Sequence, residues 1–99
     1  MKLALVLARA ADLPAACALT EAAHLAGDEV AWFAMDDAAP AVVALIAGPH
    51  PPWLCDTDVT LCATSLDRRQ LAGPAGARVG SQDDHAALLA WADRTVALT

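Results

Sequence analysis

The residues best suited to chemistry lie in one stretch, where a strand-forming run at residues 59–61 leads directly into Cys62. Thr64, Ser65 and the pair Arg68-Arg69 follow in a short helical stretch. Unpaired N–H groups and the positive end of a helix dipole favour the thiolate, which is the nucleophilic form of cysteine. The other interpretation of Cys62 is a small buried hydrophobe, since free cysteines are among the most buried residue types. The position is compatible with both.

Two other sets of residues invite a metal or phosphoryl-transfer interpretation. Asp36-Asp37 ends a predicted strand, but Pro40 in the following turn favours Asp37 as the N-cap of a helix. His50, Cys55 and Cys62 lack the tight spacing and the fourth ligand of a zinc site. No glycine-rich phosphate-binding motif is present. The sequence therefore predicts no metal and no cofactor.

Composition narrows the class of protein. The 99 residues predict a single domain spanning 1–99, and 58% of them are hydrophobic. Twelve acidic residues against six basic ones give a net charge of −6, which argues against nucleic-acid and anionic-membrane partners. Three cysteines without a C-x-x-C pair favour a reducing cytoplasm. Arg9 and Asp12 interrupt the apolar start too early for a signal peptide.

Strand and helix patterns alternate along the whole chain. This alternation predicts a three-layer α/β/α sandwich, Rossmann- or flavodoxin-like, around a mostly parallel five-stranded sheet with right-handed crossovers. Ligand chemistry in open α/β sheets lies at the carboxyl ends of the strands, where Cys62 is predicted to be. The predicted strands are residues 3–8, 29–35, 59–62, 77–80 and 95–98, and the helices follow Asp12, Asp37, Cys62 and the Ser81/Asp84 capping pair.

The segment at residues 61–69 resembles the DsrE/TusD-like (DsrEFH) sulfur-relay family. In that family an apolar strand, a cysteine and a small-residue helix start often precede an Arg-Arg pair, as Cys62 precedes Arg68-Arg69 here. The turn at residues 92–94 before the last strand is also similar. Two positions depart from the family pattern, residues 37–39 in place of an acid-Gly-Val turn and Gln70 in place of a glycine.

The resemblance implies a cytoplasmic sulfur carrier, or a sulfurtransferase subunit, with Cys62 as the persulfide-bearing residue. The amides of Thr64 and Ser65 would stabilise the anion. Arg68 and Arg69, about 9–10 Å along the helix, would complement its negative end or meet a partner. The alternatives are a non-catalytic oligomeric assembly or regulatory subunit in which Cys62 merely packs, and a thiol redox sensor that uses Cys55 with Cys62.

The sequence also predicts a homo- or hetero-oligomer, besides sulfur donor and acceptor proteins as partners. No charged residue lies between Asp37 and Asp56, and the helix within that stretch is apolar on every face. Left uncovered, such a helix would expose several hundred Å² of aliphatic surface, so a partner chain is expected to cover it. Trp53, in a proline-bracketed loop, is predicted to shield Cys62 or to anchor a neighbouring subunit.

Overall fold

The computed structural model describes all 99 residues and confirms the predicted alternation of strands and helices. Two 3-10 turns, Ala10–Asp12 and Pro52–Asp56, precede the first helix and the third strand. The strands are β1 (Lys2–Leu7), β2 (Glu29–Ala34), β3 (Asp58–Cys62), β4 (Arg78–Gly80) and β5 (Arg94–Leu98). The helices are α1 (Leu13–Leu25), α2 (Ala38–Ala47), α3 (Ala63–Arg68) and α4 (Gln82–Trp91).

The sheet has the strand order β4-β3-β2-β1-β5, and every neighbouring pair is parallel. The first three crossovers step in one direction, from β1 to β4. Right-handed connections therefore place α1, α2 and α3 on the same face. The fourth crossover returns past β1 to β5 and places α4 on the opposite face. The three-layer sandwich is confirmed, and the sheet is entirely rather than mostly parallel.

The main core lies between the sheet and the face formed by α1 and α2. Trp32 is its largest fully buried side chain, and its indole Nε1–H donates to Thr20 Oγ1 at 2.8 Å. The Thr20 hydroxyl in turn donates to the carbonyl oxygen of Ala16 at 2.7 Å, so the polar atoms inside this core are satisfied. Alternate residues of β1, β2 and β3 supply most of the apolar side chains: Leu3, Leu5, Leu7, Val30, Ala34, Val59 and Leu61.

A single helix, α4, covers the other face of the sheet. The strand residues there are mostly small, and Phe33 is the exception. The ring of His85, in the first turn of α4, stacks on Phe33 with centroids 4.8 Å apart and planes 11° apart. The predicted capping pair opens this helix, because Ser81 Oγ accepts from the Asp83 amide at 3.2 Å and Asp84 Oδ2 accepts from the Ser81 amide at 2.8 Å.

The apolar helix α2 is covered largely by its own chain, and the expectation of a large exposed aliphatic face is wrong. It packs against α1, α3, β2 and the turn Ala10–Asp12. Ala38, Ala39 and Val42 are buried, and its larger side chains Val43, Leu45 and Ile46 are partly buried against the core. The neighbouring helices on the crowded face supply the cover that a partner chain was expected to supply. Oligomerisation itself stays a prediction.

The two aspartates that precede helices do not cap them with their side chains. Asp12 and Asp37 occupy the N-cap positions of α1 and α2, but neither carboxylate accepts a hydrogen bond from its helix. Asp12 pairs with Arg9 at 3.4 Å, and Asp37 pairs with Arg69 at 2.7 Å. The capping role predicted for Asp37 is therefore wrong.

No helix in the chain combines the length and the apolar composition that crossing a bilayer requires.

Candidate functional site

Cys62 lies where β3 ends and α3 begins. It is the last residue of β3 and the N-cap of α3, with an extended backbone at φ −66° and ψ 120°. Because β3 has β2 on one side and β4 on the other, the cysteine lies at the carboxyl ends of the strands and away from the two outer strands of the sheet. It is in register with Gly80 of β4. Its side chain is only 6% exposed. The carboxyl-edge position predicted for Cys62 is thus where the residue lies.

A backbone N–H of the segment that follows β2, the neighbouring strand, holds the hydroxyl of Ser65 beside this cysteine. The Asp36 amide, two residues beyond β2, donates to Ser65 Oγ at 2.8 Å. Asp36 has φ +49°, a left-handed conformation that aspartate tolerates better than most residues. Ser65 is buried, so its hydroxyl lies in a site with little access to water.

Five physical effects act on the Cys62 thiol. Burial is the largest and raises its pKa, and the Asp36 carboxylate raises the pKa further through its charge. The Ser65 hydroxyl and the N–H groups of Ser65 and Thr64 lower the pKa, and together they prevail, so that the pKa of Cys62 lies below its ordinary value. Neither amide makes a fully formed capping bond to the sulfur, and α3 is only six residues long. The local donors, rather than a long helix dipole, favour the thiolate.

The other cysteines lack this environment. Cys17 lies on α1, partly buried against the core, where burial raises the pKa of its thiol. Cys55 is exposed in the turn that precedes β3. Among the three cysteines, Cys62 is the buried one, and it is the one whose thiol pKa is lowered, by Ser65 and Thr64.

The two arginines predicted for this site have different surroundings. Arg69 Nη2 pairs with Asp37 Oδ1 at 2.7 Å, and its Nη1 donates to the carbonyl oxygen of Ser65 at 3.1 Å. Arg69 thus ties the end of α3 to the segment that follows β2. Arg68 is exposed, in the last turn of α3, and takes part in no ion pair. Thr64 is exposed in the first turn.

The structure does not bring Trp53 to the site. Trp53 lies in the turn before β3 and packs on Trp32, with ring centroids 6.2 Å apart. The strand that separates this turn from Cys62 spans about 13 Å at a rise of ~3.3 Å per residue. The prediction that Trp53 shields Cys62 is therefore wrong, because the indole joins the core at the other end of the strand.

The same separation rules out a redox pair within one chain. Cys55 lies in the turn at the amino end of β3 and Cys62 at the carboxyl end, whereas a disulfide needs Cα atoms within about 7 Å. The redox-sensor alternative is wrong for this reason. His50 follows α2, where its Nδ1 lies 2.8 Å from the Gly48 carbonyl oxygen, so His50, Cys55 and Cys62 do not form one cluster.

Sequence reasoning missed the contribution of Asp36 and of the Ser65 hydroxyl. The sequence pattern favours Asp36-Asp37 as the start of a helix and assigns a role to the backbone amide of Ser65 but not to its hydroxyl. The signal that points to the contact is topological: once β2 and β3 are neighbours, the residues just beyond their carboxyl ends must meet. An aspartate at such a point also suits a left-handed turn.

Comparison with known proteins identifies the fold. The crystal structure of the YchN protein from E. coli matches this chain with a TM-score of 0.70, covering 99% of this chain and 100% of that one at 21% sequence identity. YchN belongs to the DsrE-like fold family. This chain has a DsrE-like fold. No family model matches the sequence, and no curated protein matches it significantly. At 21% identity the likeness establishes the DsrE-like fold alone, so the role of Cys62 has to be argued from its surroundings.

Proposed function

We propose that this protein is a sulfur carrier, or a sulfurtransferase subunit, that accepts sulfane sulfur on Cys62 and passes it on. The observation that carries the proposal is the environment of the sulfur, where Ser65 and the first amides of α3 lower the pKa of a buried thiol. The DsrE-like fold is consistent with sulfur relay at the level of the family.

The proposed transfer takes two balanced steps. The Cys62 thiolate attacks the outer sulfur of a donor persulfide, so that a bond forms between Sγ and that sulfur while the donor's S–S bond breaks and the donor leaves as a thiolate. An acceptor thiolate then attacks the outer sulfur of the Cys62 persulfide, and Cys62 leaves as a thiolate. Each step exchanges one S–S bond for another, so no external oxidant or reductant is consumed.

The donors around Cys62 serve both steps of this exchange. In the first step they increase the fraction of thiolate available for attack. In the second step Cys62 is the leaving group, and a thiol with a lower pKa leaves faster. The Ser65 hydroxyl and the amides of Thr64 and Ser65 therefore assist loading and discharge through the same contacts.

Persulfide loading tests the proposal. The Cys55→Ser variant is used, because the exposed Cys55 thiol would react with any polysulfide. After incubation with inorganic polysulfide, the protein should gain about 32 Da, the mass of one sulfur atom. Cleavage before aspartate separates the remaining cysteines, since residues 12–27 contain only Cys17 and residues 58–66 contain only Cys62.

The proposal predicts the added sulfur on residues 58–66 and its loss in a Cys55→Ser/Cys62→Ser double variant. Cys17→Ser in the same background is the matched control and should load normally. Sulfur on residues 12–27, or no added sulfur on a folded protein, would contradict the proposal.

The low exposure of Cys62 favours a second candidate function, a non-catalytic assembly or regulatory subunit in which the cysteine only packs. The rate of Cys62 alkylation as a function of pH separates the two. A carrier should be labelled with a midpoint below about pH 8.5, the ordinary value for a cysteine. A packing residue should react slowly throughout, until the protein unfolds.

A further inference from the structure

We propose that a cavity between α4 and β3 binds a small organic cation, an ammonium group carried on a single ring or a short apolar chain. The cavity lies on the face of the sheet that α4 covers, and Cys62 does not line it. The inference therefore goes beyond the proposed sulfur transfer and does not rest on it.

The cavity exists because α4 crosses β3 without filling the space above it. The helix packs on β1, β2 and β4, and it touches β3 only lightly. Val59 and Leu61 of β3 point into the main core, so the alternating side chains of Asp58 and Thr60 point towards α4. Ala87 of α4 lines the space with only a methyl group. A cavity of about 190 Å³ that is open to solvent remains between the helix and the strand.

Much of the cavity wall is apolar and suits one ring. Phe33, Leu88 and Trp91 contribute its large apolar side chains. Phe33 is fully buried and Trp91 is partly exposed, so the apolar wall extends from the sheet to the surface. For scale, an apolar cavity of about 150 Å³ holds benzene. The volume and the wall therefore fit a single ring or a chain of a few carbon atoms.

The polar groups of the cavity carry more negative than positive charge. Asp58, Asp84 and Arg78 line it, and Arg78 pairs with Asp58. That contact uses Asp58 Oδ2, and the Ser81 amide donates to Asp84 Oδ2. Oδ1 of each carboxylate is left to accept from an ammonium group. An anionic ligand would find a single guanidinium, which is already paired with a carboxylate.

The surface at the mouth of the cavity is acidic as well. Asp58 and Trp91 also line a neighbouring depression, together with Glu29 and Asp56. Glu29 and Asp56 take part in no ion pair. Lys2 brings one positive charge, with its Nζ 5.8 Å from the centroid of the Trp91 ring. Two unpaired carboxylates against one ammonium leave the mouth negative, which attracts cations.

Binding of probes of matched size tests the charge requirement. The probes are 2-phenylethylammonium, 2-phenylethanol and 3-phenylpropionate, which share a ring and a short chain and differ in charge. They are titrated at neutral pH into the isotopically labelled full chain, where the NMR signal of the Trp91 indole N–H reports on the cavity. We expect the ammonium ion to bind saturably with a Kd on the order of 1 mM. The alcohol should bind at least about tenfold more weakly, and the acid should not saturate the signal.

Paired variants locate the binding. Ala87→Leu fills the cavity, and Ala86→Leu is its matched control, because Ala86 is exposed on the same helix and does not line the cavity. Asp58→Asn removes a charge from the wall, and Asp67→Asn, at an exposed position on α3, is its control. We expect Ala87→Leu to abolish binding of the ammonium ion and Asp58→Asn to weaken it several-fold. Both controls should bind as the wild type does.

Equal affinity for the ammonium ion and the alcohol would overturn the proposal, as would tighter binding of the acid. A folded wild type whose Trp91 signal never saturates would overturn it too. The same conclusion would follow if Ala87→Leu, folded by circular dichroism, bound as tightly as Ala86→Leu, or if Asp58→Asn bound as tightly as Asp67→Asn. None of these measurements involves Cys62, so their outcome is independent of persulfide loading.

Discussion

Replacement of Thr20 by valine tests the buried hydrogen bond that joins Thr20 on α1 to Trp32 on β2. Thr20 is fully buried and accepts from the indole Nε1–H of Trp32, whose side chain is only 1% exposed. Valine has nearly the same volume but no hydroxyl. The Thr20→Val variant therefore keeps the packing and leaves a buried N–H without an acceptor.

The cost follows from that unpaired group. A buried donor left without a partner costs about 1–3 kcal/mol. Taking a loss of about 2 kcal/mol in the free energy of unfolding, and 4–8 °C per kcal/mol for a domain near this size, the melting temperature should fall by roughly 8–16 °C. Thr20→Ser is the control, since it keeps the hydroxyl and gives up a methyl group worth about 0.8 kcal/mol.

Urea unfolding followed by tryptophan fluorescence measures both variants at one fixed protein concentration. The expected order of stability is wild type, then Thr20→Ser, then Thr20→Val, with similar slopes against urea. A Thr20→Val protein as stable as Thr20→Ser would refute the reasoning, because it would show that the indole N–H needs no acceptor in this core.

Three further predictions concern the site and the assembly. Gly80→Ala should lower the free energy of unfolding by about 1–3 kcal/mol, because the new Cβ would overlap the Asp84 carboxylate and lie 2.8 Å from Thr60 Cγ2. An unchanged midpoint of urea unfolding would contradict this. The stability of wild type relative to Cys62→Ala should rise with pH, because the thiol pKa is lower folded than unfolded: the gain starts near the folded pKa and is complete above about 8.5. A relative stability that falls over that window would show the opposite shift. Sedimentation of the wild type at micromolar concentration should show an oligomer, and a compact, non-aggregating monomer would refute that prediction. Substitutions of Val43 or Ile46 are unsuited to this test because both pack against the core.

Most of the fold is predictable because its signals are local. Continuous apolar runs indicate buried parallel strands, and glycine or proline marks the ends of the helices between them. Gly27, with φ +84° just past α1, is one such end. The cover of α2 was not predictable in this way, because it depends on how closely α1 and α3 approach on one face.

The position of Cys62 is predictable for the same local reason, but its partners are not. The contact of Asp36 with Ser65 joins residues 29 apart and exists only because β2 and β3 are neighbours. Trp53 was misplaced although the sequence shows which end of the strand it adjoins: it precedes β3 and lies at the amino end, whereas Cys62 closes the carboxyl end. Strand order, which single-sequence patterns leave open, decides only the contact of Asp36 with Ser65.

Discharge of a loaded persulfide tests the central claim most directly. Cys55→Ser protein is loaded with isotopically labelled sulfane sulfur, freed of excess donor and mixed with a low-molecular-weight thiol. The account predicts that the label leaves as the persulfide of that thiol, while the peptide of residues 58–66 returns to its unmodified mass. Label that never reaches this peptide, or that stays on Cys62 in the presence of the acceptor, would contradict sulfur transfer by this protein.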